Sequence, residues 1–183
     1  LAGLAAKAWI ETREERSRLV PPLIRLPLLG LFAEADRVRL AQSLFEALRS
    51  QPTTSNFALA RLAKAAGRQE DYLHYGALAA EEFQARGDVE TAVRLHRDLS
   101  ETATTPRDQS FHLAYLASCL SRLARFEEAH LAYERWYTLV EDDGTGGKAL
   151  KYHYLIGLNF LTQGKPVQAA RHLRQALESG DSQ

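Results

Sequence analysis

The chain has 183 residues, 45% of them hydrophobic and 25% charged, and its 23 basic side chains balance 23 acidic ones. This length suffices for one ordinary domain with a sizeable core. The balanced charge gives no support to a nucleic-acid-binding surface, which shows as a basic excess or stripe. The single cysteine, Cys119, excludes an internal disulfide framework, fits a reducing compartment and reads as a small buried packing residue.

Apolar and small residues recur at helical spacing along almost the whole chain, and Gly and Pro fall between the periodic stretches. No convincing alternating pattern indicates a β-strand. The sequence therefore predicts an all-α protein. The predicted helices lie near residues 2–19, 34–49, 54–66, 69–86, 89–101, 108–123, 126–141, 148–162 and 166–179.

Two segments interrupt this pattern. Residues 20–32 contain Pro21, Pro22 and Pro27, so a continuous helix is excluded there. A buried apolar crossover is the default interpretation, and a surface groove filler or a partner-docking strip is the sharper alternative. Formation of a homodimer through residues 20–32 is a side hypothesis. Residues 141–147 read EDDGTGG, which lacks the spacing of a phosphate-binding loop and predicts a flexible connection between helices.

The chain contains no methionine, which indicates a fragment or a processed form from which an N-terminal anchor could have been removed. No apolar stretch is long enough to span a bilayer. We expect a cytoplasmic protein.

Three segments align with one another on their helix-breaking turns: residues 76–99, 113–136 and 153–176. Each predicts a helix, a tight turn and a second helix. Equivalent positions carry side chains of equivalent size. They are Ala80, Ala117 and Gly157, then Phe83, Leu120 and Phe160, then Gly87, Ala124 and Gly164, then Ala92, Ala129 and Ala169, and finally His96, Tyr133 and Leu173.

This pattern of sizes has a packing explanation. Paired helices approach closely only where the facing side chains are small, and larger side chains then fill the space between one pair and the next. A single hairpin cannot bury both of its apolar faces, so each pair needs a neighbour. The repeats therefore predict a stack of helical hairpins.

The spacing resembles that of the tetratricopeptide repeat (TPR) family, and the third segment matches that family's pattern best. The second departs from it at Ala124 and Trp136, the first at His96 and Leu99, and the proline that usually closes a repeat is absent. The resemblance implies a right-handed superhelix over residues 34–183, with repeats near 34–66, 69–101, 108–141 and 148–179. Residues 1–33 would form a divergent N-terminal helical segment.

A weaker resemblance covers about residues 80–140, where RGDVETAVRLH and the following helix pair are similar to the TPR region of lipopolysaccharide assembly protein B. Members of that family are membrane-anchored cytoplasmic scaffolds with a C-terminal metal-binding domain. This chain has no CxxC pair, so that domain is not part of it.

No motif for catalysis stands out. The six histidines form no HExxH, no serine lies in a GxSxG elbow, and the paired carboxylates are adjacent residues that point in different directions on a helix. We expect no enzyme activity, no cofactor and no metal site.

The resemblance implies that the first helix of each repeat lines a concave groove, which would bind a peptide, loop or helix of a partner protein. The predicted groove residues are His74, Glu81, Gln84, Tyr115, Ser118, Arg122, Lys151 and Tyr154. Tyr and Arg are the residue types that anchor interfaces. The asparagines of the family's carboxylate clamp are replaced by Leu78, Tyr115 and Leu155, which argues against a chaperone-tail binder.

The sequence therefore predicts a non-catalytic interaction module with a scaffold or adaptor role. The alternative is a sensor or regulatory domain of a larger protein, such as a transcription regulator, that binds a small ligand or a signal peptide. A surface of merely exposed helix residues remains the competing interpretation of the groove.

Overall fold

The structure of the protein, a computed structural model, describes residues 10–13, 16–19, 33–140 and 147–180. Within this part, residues 33–140 and 147–180 are all-α, as predicted, and contain eight helices. They are α1 (Glu34–Arg49), α2 (Asn56–Ala65), α3 (Gln69–Ala85), α4 (Val89–Thr102), α5 (Pro106–Arg122), α6 (Phe126–Leu139), α7 (Gly147–Thr162) and α8 (Pro166–Gly180). Each end lies within two residues of its predicted position.

The predicted helix at residues 2–19 is wrong over the residues that the structure describes there. Two short antiparallel strands, β1 (Ile10–Arg13) and β2 (Arg16–Leu19), pair with Ile10 opposite Leu19. Between those two residues every side chain of ETREERSR is polar. The segment therefore lacks the apolar stripe through which a surface helix gains most of its stability.

Two other predicted features lie outside the described residues. They are the proline-rich strip at 20–32, with its proposed homodimer contact, and the loop at 141–146. Gly147, the last residue of that predicted loop, is the first residue of α7.

Polar side chains cap the starts of three helices. Ser55, Asp88 and Thr105 accept hydrogen bonds from the backbone N–H groups of Ala58, Thr91 and Asp108, at 3.1–3.2 Å. Such caps satisfy amides that have no partner within the helix. Pro106 follows Thr105 at the first helical position, where its missing N–H costs nothing.

One turn recurs along the chain. Gly67, Gly87, Ala124 and Gly164 all have positive φ, between 57° and 84°. At each turn the next residue's N–H bonds back to a carbonyl five residues earlier, as in Arg125 N–H to Leu120 O at 2.9 Å. This is the Schellman closure of a helix, which favours glycine at the left-handed position. The turn joins α3 to α4, α5 to α6 and α7 to α8, and it also joins α2 to α3.

Small side chains lie where paired helices meet, as predicted. Ala80, Ala92, Ala117, Ala129 and Ala169 are all fully buried. A Cβ placed on Gly157 would come within 2.8 Å of Leu173 Cδ2 on the facing helix. The glycine therefore sets how closely α7 and α8 approach.

The core consists of separate clusters along the chain. One joins side chains of α4 to α7, and a second gathers Phe45, Leu59, Tyr72 and Leu99 with Ala60 and Ala63 of α2. Cys119 belongs to the first cluster, where burial raises the pKa of its thiol. This supports its interpretation as a packing residue. Each helix packs mainly on its neighbours in the chain.

Polar contacts also join alternate helices. The Lys64 ammonium of α2 donates to Asp98 of α4, and the Arg97 guanidinium of α4 lies 3.0 Å from the carboxylate of Glu128 in α6. Ser121 of α5 contacts Asn159 of α7 at 3.0 Å. These contacts link the second helices of successive hairpins, and they link the first helices of the last two hairpins.

Candidate partner-binding cleft

A cleft of about 470 Å³ lies between α5 and α7, the first helices of the last two hairpins. Its lining residues on these helices are Ala114, Tyr115, Ser118, Ser121, Arg122, Lys151, Leu155, Leu158, Asn159 and Thr162, and Tyr133 of α6 joins them. The α5 residues recur at spacings of three, four and seven, and those of α7 do the same. Such spacings place side chains on one face of a helix. The cleft is therefore formed by two facing helix stripes.

The floor of the cleft is a polar network between hairpins. The Ser121 hydroxyl oxygen lies 3.0 Å from both the Ala117 carbonyl and the Asn159 side-chain oxygen, and its single proton serves one at a time. The amide nitrogen of Asn159 donates to the Phe126 carbonyl at 3.5 Å. Asn159 is only 3% exposed, so these contacts fix the position of α7 against α5 and α6.

Tyr133 closes the floor from below. Its side chain is 4% exposed, and burial raises the pKa of its hydroxyl, while a hydrogen bond with Ser121 opposes the shift. The phenol therefore stays neutral. This part of the cleft is structural.

The walls carry positive charge. Arg122 and Lys151 are both exposed, and no carboxylate lines the cleft among the described residues. The Lys151 ammonium lies 5.3 Å from the ring centroid of the buried Trp136, a cation–π contact that restrains the side chain. Within the described part of the chain, Arg122 forms no ion pair.

An aromatic cluster borders the cleft at Tyr115. The Tyr115 ring stacks on His96 of α4 at 5.3 Å between centroids, and Phe111 contacts both Tyr115 and His112, at 4.8 and 5.2 Å. Phe111 and Tyr115 are 45% and 37% exposed, whereas His96 and His112 are buried. The cluster joins α4 to α5 and presents two aromatic faces to solvent.

The two buried histidines are incompletely hydrogen-bonded. His96 Nε2 lies 3.3 Å from the Gln84 amide, but Nδ1 of His96 and Nδ1 of His112 contact no polar atom of the described residues. Burial lowers the pKa of each imidazole to about 4; the nearby His112 adds to this shift in His96, and Asp108 opposes it in His112. Both rings are therefore neutral near pH 7.

The structure separates the eight predicted groove residues into two groups. Tyr115, Ser118, Arg122 and Lys151 line the cleft together. Tyr154 is exposed on α7 without lining it, and His74, Glu81 and Gln84 lie on α3, outside the cleft. Among these, Gln84 contacts His96, and the ring of His74 lies against Tyr75 at 4.9 Å.

Sequence reasoning missed the residues of the floor, Ser121, Tyr133 and Asn159. The periodicity of α7 could have indicated Asn159. Position 159 lies four residues after Leu155 and three before Thr162, on the helix face that also carries Lys151. No comparable signal marks Tyr133, because it belongs to the second helix of its hairpin. The alignment of repeats assigned it only a packing role.

The histidines are less scattered than the sequence indicates. His153 of α7 and His172 of α8 bring their Nδ1 atoms within 3.2 Å, and burial is the main reason why the pKa of each is lowered. In the part of the chain that the structure describes, no three His, Cys, Asp or Glu side chains are arranged to hold a metal ion. Among the described helices, none combines the length and hydropathy needed to cross a lipid bilayer.

No protein-family model matches the chain, and no curated protein matches it either. A solved structure, the crystal structure of BtubC (BKLC) from P. vanneervenii, is similar with a TM-score of 0.49 and 20% sequence identity. The similarity covers 81% of this chain and 57% of that one. The resemblance to the TPR family therefore stays a prediction.

Proposed function

We propose that the chain is a non-catalytic protein-interaction module, a right-handed superhelix of TPR-like hairpins that binds a peptide, loop or helix of another protein as a scaffold or adaptor. The cleft between α5 and α7 carries this proposal. Two successive first helices turn matching stripes toward it, and the stripes combine exposed Tyr, Leu, Arg and Lys side chains.

The helix packing supports a repeat architecture. The recurring left-handed turn gives successive hairpins the same closure, at Gly87, Ala124 and Gly164. The ion pair between Arg97 and Glu128 joins second helices, and the Ser121–Asn159 contact joins first helices. Side-by-side first helices are what gives a solenoid an extended binding surface.

The residue types in the cleft support recognition of a protein segment. Tyr115 offers a large, partly exposed ring that is already held by stacking on His96, so little conformational freedom would be lost on binding. Arg122 offers a planar group with several donors. The contacts of Asn159 with Ser121 and Phe126 beneath these side chains hold α5 and α7 in position.

A peptide-display selection on the purified chain tests the proposal. We expect the chain to enrich peptides whose affinity for the Tyr115→Ala/Arg122→Ala variant is lower by about tenfold or more. The matched control is Leu131→Ala/Arg135→Ala, which truncates an exposed apolar and an exposed basic side chain on α6, outside the cleft. Equal binding to all three proteins would reject the cleft as the interaction site.

The second candidate is a sensor domain, and the size of the cleft favours it. A volume of about 470 Å³ falls within the range of clefts that hold small ligands. Native mass spectrometry of the purified chain distinguishes the candidates. A bound small molecule that is released by Ser118→Trp would favour the sensor.

A further inference from the structure

We propose that His153 of α7 and His172 of α8 form a two-histidine site for a divalent transition-metal ion such as Zn²⁺, which ties the two helices of the last hairpin together. Nineteen residues separate the pair in the sequence, so no local spacing motif marks it. Neither histidine lines the cleft. The inference therefore does not depend on the proposed function.

The close approach of α7 and α8 brings the two imidazoles together. A Cβ on Gly157 would meet Leu173 at 2.8 Å, and Gly157 lies four residues after His153 on α7. His172 directly precedes Leu173 on α8. Residues four apart lie on the same face of a helix, so His153 and Gly157 both face α8. The glycine at this crossing thus lets the two rings come within contact distance.

The distance between the rings fits a shared metal ion. Nδ1 of His153 lies 3.2 Å from Nδ1 of His172. A tetrahedral zinc ion binds imidazole nitrogens at about 2.0–2.1 Å, which places two of its ligands about 3.3–3.4 Å apart. An ion beside the line between the two nitrogens therefore reaches both with little movement of either ring.

The metal-free pair is held by a hydrogen bond from one Nδ1–H to the other Nδ1. An ion takes the place of that proton, which moves to Nε2 of the same ring, so both imidazoles stay neutral. Neutral imidazole is the form that binds a metal, and it suits zinc, copper and nickel. Burial is the main reason why the pKa of each ring is lowered, which favours this form near pH 7.

Neighbouring aromatic side chains hold the two rings. The His172 ring stacks on Phe160 at 5.5 Å between centroids, and the His153 ring lies edge to face with Tyr152 at 5.3 Å. A ligand group whose orientation is already fixed loses less conformational freedom when the ion binds. The pair is therefore partly organised for a metal before the metal arrives.

The two histidines supply half of a tetrahedral ligand set, and water supplies the rest. In the described part of the chain no further His, Cys, Asp or Glu completes a group of three with them. The imidazole of His130 on α6 instead lies 3.3 Å from the Glu134 carboxylate. We therefore expect weaker binding than at the three- and four-ligand zinc sites of enzymes and zinc fingers.

Calorimetric titration of the purified chain with zinc chloride provides the first test. We expect the wild-type chain to bind the ion and His153→Gln and His172→Gln to bind it at least about tenfold more weakly, because each variant removes one of two ligands. The matched control is His130→Gln, which changes a half-buried histidine of α6 and should keep the wild-type affinity. Circular dichroism confirms that each variant is folded.

Nuclear magnetic resonance of the histidine rings locates the ion without any substitution. We expect zinc to shift the imidazole signals of His153 and His172 and to leave those of His74 and His130 in place. Because the ion binds only the folded hairpin, zinc should also raise the urea midpoint of the wild-type chain and leave that of His153→Gln unchanged.

Three results would overturn the inference. The absence of zinc binding at millimolar concentration would mean that the pair forms a hydrogen bond only. Equal zinc binding by wild type, His153→Gln and His172→Gln would place the ion elsewhere. Loss of binding in His130→Gln alone would place it on α6 beside Glu134.

Discussion

A single residue departs from the turn that the chain otherwise repeats. Ala124 adopts φ = 57°, a conformation that the other three equivalent turns give to glycine. A residue with a Cβ loses about 1 kcal/mol or more of stability when its backbone is left-handed. This cost exceeds the additional free energy that is needed to order a glycine on folding. The strain at Ala124 therefore lowers the stability of the α5–α6 hairpin.

We expect Ala124→Gly to raise the free energy of unfolding by about 1 kcal/mol. Urea denaturation at constant m-value measures the change. The reciprocal control is Gly87→Ala, where no atom lies within 4 Å of the added Cβ, so that any loss reports backbone strain alone. A neutral result for both substitutions would contradict this account of the turn.

At the scale of elements, the interface between α4 and α5 contains the two histidines whose pKa is lowered to about 4. In the unfolded chain the same groups titrate near pH 6.5. Between pH 6.5 and pH 4 the unfolded state therefore binds more protons than the folded state. The stability contributed by the neutral imidazoles is complete above about pH 6.5 and is lost as the pH falls toward 4.

We expect His96→Leu to reduce this loss of stability by about 2 kcal/mol between pH 7 and pH 4.5. Leucine fits the position, because Leu173 occupies the equivalent place in the third repeat. Thermal or urea unfolding across the pH range measures the slope, and His74→Gln, an exposed histidine of α3, is the control. An unchanged slope in His96→Leu would mean that the buried ring is not protonated on unfolding.

For the whole molecule, stability should vary along the stack of helices. Helices α4 and α5 each contain seven buried residues, whereas α1 and α8, the first and last of the described helices, each contain two. In a repeat protein each unit is stabilised by its neighbours, so the end units have fewer supporting contacts.

We expect backbone amides of α4 and α5 to exchange with deuterium at least about tenfold more slowly than those of α1 and α8. Hydrogen exchange followed by mass spectrometry at the level of single helices measures this difference. Uniform protection across all helices would indicate one globally cooperative domain and would argue against the solenoid.

The helices and their close contacts follow from local sequence. Helical periodicity, cap residues and the turn positions act within a few residues, so the bounds of α1 to α8 and the burial of Ala117, Ala129 and Ala169 could be predicted. The prediction failed at residues 10–19, where no apolar stripe existed to favour a helix and the two strands pair instead. Half of the predicted groove residues line the cleft, because the helical periodicity indicates which residues of α5 and α7 share one face.

Only the tertiary structure decided which helix faces meet. The Ser121–Asn159 contact and the His96–Tyr115 stack join residues that are far apart in the sequence. Their contacts depend on how one hairpin is rotated against the next, and no local pattern encodes that rotation. The sequence determined by itself that this chain forms helical hairpins with small residues at their crossings. The packing of hairpin on hairpin placed Tyr115, Arg122 and Lys151 around one cleft and left His74, Glu81 and Gln84 outside it.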